Sequence, residues 1–455
     1  RKLLAALRSR NQSAWQAIPL DSGASRKLAN PQASLAYSLT GGDSFSFFMR
    51  KAPEFGSAEE ASEMGEVYLH ALLREIPFEE YANPGDSNTA DAVNFAVNQM
   101  NLFSDFRGPK IGGQVAADTL FRGSFAGDLV GNYVSQFLLL DVPMGAGLFP
   151  QLYETTAQGD DHMNNQSDWI NILRGGAPAT SSVFDPTPRY VYNARGLGEF
   201  VHRDYTYQTY LQAALILLGM GAPLNPKNPY TSSANQGGFV TFGPAEVLSL
   251  VSEACLNGLK AAWYHKWQVH RRLRPEVFGG RIHRHKSGLA NYPINNEILN
   301  SAILDGIEMT TADRTGQSGQ YWLPMAYPEG SPTHPAYPAG HATVSGACCT
   351  MLKALFDESY VLPSPVEVDP SSYGTALRPF SGSSNLTVGG ELDKLANNIA
   401  IGRNMAGVHW RTDGTEGVLL GEQVAISLLR DYKLTYNERF QGAEFTGFQG
   451  NTIRI

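Results

Sequence analysis

Cysteine is scarce: Cys255, Cys348 and Cys349 are the only three in 455 residues. Three thiols cannot build a disulfide framework, and no CxxC pair suggests structural zinc or a redox dithiol. They read as buried free thiols, with an intersubunit disulfide left open. Charge is sparse as well. Charged residues make up 17% of the chain against 42% apolar, so much of it belongs in a core or a subunit interface and disorder is excluded. The formal charge of -8 argues against a general nucleic-acid binder, which needs a basic face. No apolar run reaches the roughly 20 residues that cross a bilayer. The longest, Leu211 to Leu224, ends in Gly and Pro, so the protein is expected to be soluble. Because the chain begins at Arg1, periplasmic, secreted and cell-wall-associated locations all stay open. There is no GxxxxGK[ST] loop for nucleotide phosphates, no internal repeat and no flexible linker. One domain spanning residues 1–455 is the economical reading.

What is present is helical periodicity. Ser57 precedes an amphipathic segment with Met64, Tyr68, Leu69, Leu72 and Leu73 at helical spacing, and Glu60 completes a capping box. Further helices are expected over Asp91–Phe103, Phe200–Leu218, Pro244–Val269, Ile294–Met309, His341–Phe356, Glu391–Met405 and Thr415–Leu429. Strand signals are few, and the clearest, Ser181 to Gly196, predicts a short hairpin.

Three clusters in the second half carry chemistry. In "KWQVHRRLRPE", Lys266 to Glu276, basic side chains crowd a helix end that must stop near Pro275. They complement the helix dipole, or Lys266 and Arg274 converge on one anion, while His270, Arg271 and Arg272 face solvent or a carboxylate. In "HPAYPAGH", His334 to His341, an irregular loop runs into a helix, so the N–H groups of Gly340 and His341 sit where anions are favoured. In "GRNMAGVHWRTDGTE", Arg403 lies near a helix end and His409 follows the Gly407 break. Asp413 either caps the next helix, with Glu416 completing a box, or holds the His409 imidazole in one tautomer. Together these supply the parts for binding one tetrahedral oxyanion.

Taken in order, Lys266-x7-Arg274-Pro275, Pro338-Ala339-Gly340-His341 and Gly402-Arg403-x3-Gly407-Val408-His409 resemble the three-part signature of vanadium-dependent haloperoxidases and type 2 acid phosphatases. The flanking text, including "HRRLRPE", "LPMAYPEGSPTHP" and "ELDKLANNIAIGRNMAGVH", is similar to the bromoperoxidases of red algae and their cyanobacterial relatives, from about Ser57 onward. The resemblance implies an all-α fold with two four-helix bundles and a few short β-hairpins, the cofactor lying in the C-terminal part at about 240–430. It makes His409 the single protein ligand of vanadium and leaves the vanadate oxygens to Lys266, Arg274, Arg403 and the N–H of Gly340. It makes His341 the acid/base group, working with Lys266 and His334 in catalysis, and Asp413 and Trp263 supporting residues. Hydrogen peroxide would then oxidise bromide or iodide to hypohalous acid, which halogenates small organic nucleophiles. His334 stands where bromoperoxidases carry histidine and chloroperoxidases an aromatic. Trp263 differs from the arginine common in red-algal members. Ala339 stands where the family usually has serine, and the lost hydrogen bond to vanadate would cost roughly 1.5–3 kcal/mol. One vanadate per subunit and a homo-oligomer, from dimer to dodecamer, also follow from the likeness, which leaves the exact assembly and a structural calcium open.

Two other functions suit the same residues. An acid phosphatase would use His409 as nucleophile and His341 to protonate the leaving group. A catalytically weakened anion-binding relative finds support only in Ala339.

Overall fold

A computed structural model of the chain describes residues 1–9 and 11–455. In chain order the helices are α1 (Lys2–Ser9), α2 (Gln12–Gln16), α3 (Ala58–Leu72), α4 (Ser87–Met100), α5 (Gln166–Leu173), α6 (Ala194–Arg203), α7 (Gln208–Gly219), α8 (Pro244–Tyr264), α9 (Pro275–Lys286), α10 (Asn296–Leu299), α11 (Ile303–Thr315), α12 (Gly340–Leu355), α13 (Val388–Met405) and α14 (Arg411–Lys433). The strands form three antiparallel hairpins: β1 (Val142–Met144) with β2 (Gly147–Phe149), β3 (Val366–Val368) with β4 (Leu377–Pro379), and β5 (Glu444–Thr446) with β6 (Thr452–Arg454). The all-α expectation therefore holds. Among the described residues no helix is long and apolar enough to cross a membrane.

Helices α8, α12, α13 and α14 pack as a four-helix bundle with α12 at its centre. Glycine sets how closely α12 and α14 approach. A Cβ on Gly346 would run into the Val418 backbone, and one on Gly421 into the Thr343 carbonyl. Any larger residue at either position would force these helices apart. A second group gathers on α3, against which α4, α9, α10 and α11 pack, and α3 also meets α13. One continuous apolar cluster, from Ala61 to Ile453, joins both groups.

Several local expectations need correction. The helix expected over Phe200–Leu218 is two, α6 and α7, because Asp204 leaves α6 with extended backbone (φ -65°, ψ 145°). The helix expected over Ile294–Met309 is likewise split into α10 and α11. The Ser181–Gly196 segment does not pair with itself: Phe184 bridges Thr156 and Arg189 bridges Tyr153. Pro186 and Pro188 lack the N–H donors that an internal hairpin would need. Ser57 does cap α3, its Oγ accepting from the Glu60 N–H at 3.1 Å. The Glu60 carboxylate does not return to the cap as a capping box requires; it goes to Arg272. A full positive charge is the stronger partner. All three cysteines are buried free thiols, so none offers an exposed sulfur for an intersubunit disulfide.

Candidate oxyanion and metal site

The site forms where the ends of α8 and α13 meet the starts of α9, α12 and α14. α8 runs into a π-helical turn, His265–His270, which ends at Arg271 in the left-handed region (φ 52°), its N–H donating to the Lys266 carbonyl. The widened turn carries Lys266 fully into the interior, where Nζ donates to the carbonyls of Pro335 and Ala336, both at 2.8 Å. Pro275 occupies the first position of α9, a place that suits its fixed φ and missing N–H, and leaves Arg274 as the extended N-cap. The Arg274 guanidinium reaches back to the Val408 carbonyl at 2.6 Å, to His409 Nε2 at 2.9 Å, and to His334 through its carbonyl and Nδ1, both at 3.1 Å.

His409 lies between two partners of opposite kind. Its Nδ1 is 2.7 Å from Asp413 Oδ2, and its Nε2 faces the Arg274 donor. A carboxylate on one nitrogen and a guanidinium N–H on the other require the proton on Nδ1 and a lone pair on Nε2. That is the tautomer of a metal-ligating histidine. Asp413 therefore holds the imidazole. It also helps to cap α14, accepting the N–H of the N-cap Trp410 at 3.2 Å from the first turn, so the two roles coexist; only the box with Glu416 is corrected, since Glu416 pairs with Arg50. The second oxygen of Asp413 accepts from Arg272, which is buried against Glu60 and Glu63 rather than facing solvent.

Arg403 comes from the last turn of α13. Its guanidinium donates to the Val201 carbonyl at 2.6 Å and contacts the Tyr327 hydroxyl at 3.3 Å, while its Nε is buried with no partner in the protein. Gly340 is the first residue of α12, so its N–H has no carbonyl partner within the helix. A Cβ there would stand 3.3 Å from the Trp263 ring. Trp263 also packs against His334, ring centroids 4.7 Å apart, and lies 5.9 Å beneath the Lys266 ammonium. Ala339 is wholly buried as the N-cap of α12 and contributes no side-chain cap, while its N–H donates to the Asp413 carbonyl at 2.9 Å. His341, partly exposed, hydrogen-bonds through Nε2 to Asp204 Oδ1 at 3.0 Å.

Sequence reasoning missed Asp204, Tyr327 and Glu63, and the Arg272 partnership of Glu60; Arg272 itself meets carboxylates, one of the two surroundings expected for it. Asp204 was hidden because residues 200–218 read as one helix; the DYTY interruption after Arg203 is the signal that marks it. Nothing local marks Glu60 and Glu63, which lie more than two hundred residues from the arginine they bind.

The electrostatics favour an anion. Burial drives Lys266 well below the usual lysine range, and Arg274 and Arg403 add to it. Burial likewise takes Arg274 down to about 9, opposed by Asp413. His409 is held neutral, first by burial and then by Arg274, Lys266 and Arg403. His334 is lowered for the same reasons, with burial leading and Lys266 and Arg274 following. Burial works against the charged form of Asp204, but His341 and then Arg403 hold its carboxyl below the usual range. The charged forms of Lys266, Arg274 and Arg403 thus disfavour one another around one neutral imidazole, and the nearby Asp413 is already engaged by Arg272. A tetrahedral oxyanion relieves that repulsion. It also offers an acceptor to the orphaned Arg403 Nε, so this donor set fits vanadate.

Comparison with known proteins gives the same result. Residues 246–438 match the family model described as the VCPO second helical-bundle domain. The chain is 37% identical to the vanadium-dependent bromoperoxidase of Corallina pilulifera, over 94% of its own length and 79% of the relative's. It is 36% identical to the enzyme of the same name from Ascophyllum nodosum, over 94% and 77%. Its fold superposes on the homohexameric structure of the second vanadate-dependent bromoperoxidase of Ascophyllum nodosum with a TM-score of 0.93 at 30% identity, covering 100% of this chain and 80% of that one. Fold and relatives define the class, a helical vanadium-dependent haloperoxidase. Within that class the chain belongs to the vanadium-dependent bromoperoxidase family, and it is a peroxidase enzyme.

Proposed function

We propose that this pocket binds one vanadate per subunit through His409 and uses hydrogen peroxide to oxidise bromide or iodide, releasing hypohalous acid to halogenate small organic nucleophiles. The observation that carries the reading is the His409 tautomer, Nδ1–H on Asp413 with the Nε2 lone pair turned toward Arg274, and with Lys266 and Arg403 near enough to help hold the ring neutral. Bound vanadate would supply a Lewis-acidic vanadium(V) on which peroxide is activated without a change in the metal's oxidation state. Lys266, Arg274, Arg403 and the Gly340 N–H would hold the oxyanion and draw charge from its oxygens. Arg274 Nη1 holds the Nε2 lone pair at 2.9 Å, so this guanidinium would have to release the imidazole for His409 to ligate the metal, and would then be free to hold the oxyanion. His341, steadied by Asp204, takes the proton from incoming peroxide and returns it later. His334, backed by Trp263, borders the approach of halide.

Vanadate depletion tests the reading. Chelator at low pH abolishes bromination of a phenolic dye, orthovanadate restores it, and excess phosphate competes. Full activity in rigorously vanadium-free protein refutes it.

Ala339→Ser provides a second check, because the buried N-cap of α12 lies beside the Gly340 N–H. A serine hydroxyl there donates to a vanadate oxygen, an added charge-assisted bond worth roughly 1.5–3 kcal/mol, or about tenfold to a hundredfold in affinity. Titrating both proteins with vanadate reads the gain directly; equal affinities would show that Ala339 is already compensated.

We also propose that residues 1–455 form one domain, with the cofactor-binding part at about 240–430; the continuous core supports this. A homo-oligomer is proposed from the homohexameric relative. The calcium suggested by the family likeness meets no group of three or more His, Cys, Asp or Glu side chains suited to a metal among the described residues, and no calcium site is proposed.

A further inference from the structure

Behind Asp413 lies a cluster of carboxylates that the oxyanion pocket does not touch. Glu60 and Glu63 stand one turn apart on α3, their side chains 3% and 4% exposed. Both accept from the same nitrogen, Arg272 Nη2, Glu63 at 2.7 Å, while Arg272 Nη1 donates to Asp413 Oδ1 at 2.8 Å. Three carboxylates therefore share one guanidinium. The neighbouring cations are engaged elsewhere: Arg411 with Glu66, Arg107 with Glu59, and Arg50 with Glu59 and Glu416. Thr412 offers its N–H and hydroxyl to Glu63 Oε1, and Tyr337 donates its hydroxyl hydrogen to the Arg50 carbonyl. Two carboxyl groups on one nitrogen, away from water, do not both ionise at neutral pH. Burial raises both, Glu60 to about 7 and Glu63 to about 8, against the pull of Arg272.

We propose that Glu60 and Glu63 hold one proton between them and act as positioning residues for His409 through Arg272 and Asp413, an inference that rests on His409 being the vanadium ligand. With one charge on the pair, Arg272 is divided between the pair and Asp413, and Asp413 keeps enough charge to hold the His409 Nδ1–H. With no charge on the pair, Arg272 turns wholly to Asp413, the grip on Nδ1–H loosens and Nε2 becomes a poorer donor to the metal. With two charges on the pair, the excess negative charge opposes an incoming oxyanion. Vanadate binding is therefore strongest when the pair is singly protonated.

Infrared spectroscopy of vanadate-free protein carrying 13C-labelled glutamate reads the shared proton. The expected result is a protonated-carboxyl C=O component below about pH 6 that fades as the pH passes about 8 and is missing from Glu60→Gln/Glu63→Gln. In vanadate titrations the double variant binds about tenfold more weakly or worse. Glu60→Gln, the milder single change because Glu63 carries three donors and Glu60 one, loses the affinity decline above about pH 8 that the unsubstituted protein shows as the pair gives up its second proton. Absence of the infrared component, or a double variant that binds vanadate as tightly as the unsubstituted protein, overturns the proposal. If the double variant does not fold, the infrared and pH comparisons on the two single glutamine variants decide it by the same criteria. Equal vanadate binding by the unsubstituted protein and His409→Ala overturns instead the site reading beneath it.

Discussion

His409→Ala folds and cannot retain vanadate. Asp413 keeps the Trp410 N–H and Arg272 when the imidazole is gone, so no buried charge is stranded and the fold survives. Loss of an outer-shell partner alone weakens a metal site about tenfold to a hundredfold, and removing the ligand itself exceeds that range. Bromination falls with occupancy. His341→Ala separates the two roles, because His341 bonds to Asp204 and contributes no nitrogen to the His409–Asp413–Arg272 chain. That variant retains vanadate to within a modest factor and loses about 10²–10⁴ in turnover, the usual worth of a general acid/base. Equilibrium dialysis against vanadate, followed by bromination at saturating vanadate, measures both quantities. The opposite pattern would exchange the roles assigned to the two histidines.

Arg272→Met destabilises the protein by about 3–5 kcal/mol, because removing one partner of a buried ionic cluster leaves the others uncompensated. Here the remaining groups are three carboxyls, Glu60, Glu63 and Asp413, all buried. The loss depends on pH, and its sign follows from the direction of the shifts. Burial already raises Glu60 to about 7 and Glu63 to about 8, and raises Asp413 also. Groups that hold their protons more tightly folded than unfolded make stability fall as pH rises from the ordinary carboxyl range through the folded pKa, and level off above it. Without Arg272 the folded values rise further, so the falling limb steepens and extends to higher pH. Chemical denaturation across that range should show the variant closest to the unsubstituted protein at acid pH and furthest from it at alkaline pH. A uniform loss at every pH would mean that packing, including the guanidinium 4.7 Å over the Trp410 ring, matters more than charge.

The longer helices, α3, α4, α8, α12, α13 and α14, were legible in the sequence because their signals are local, and so were the residue types from which the candidate site was chosen. Pro275 bars the preceding helix from running through it and suits the first position of α9, Gly340 and Gly407 mark a helix start and a break, and apolar spacing in α3 and α12 reports a buried face from sequence alone. The helix boundary at Asp204, the pairing of Phe184 with Thr156 and the fate of the Glu60 carboxylate were settled by partners far along the chain. Long-range contacts of that kind leave no periodic trace. The sequence by itself determined a helical protein and offered Lys266, Arg274, Gly340, Arg403 and His409 as the set proposed to bind an anion. Only the tertiary structure decided which nitrogen of His409 keeps its proton, that Asp204 steadies His341, and that Glu60 and Glu63 stand behind Arg272, because a tautomer and a buried charge balance depend on which distant groups share one water-poor volume.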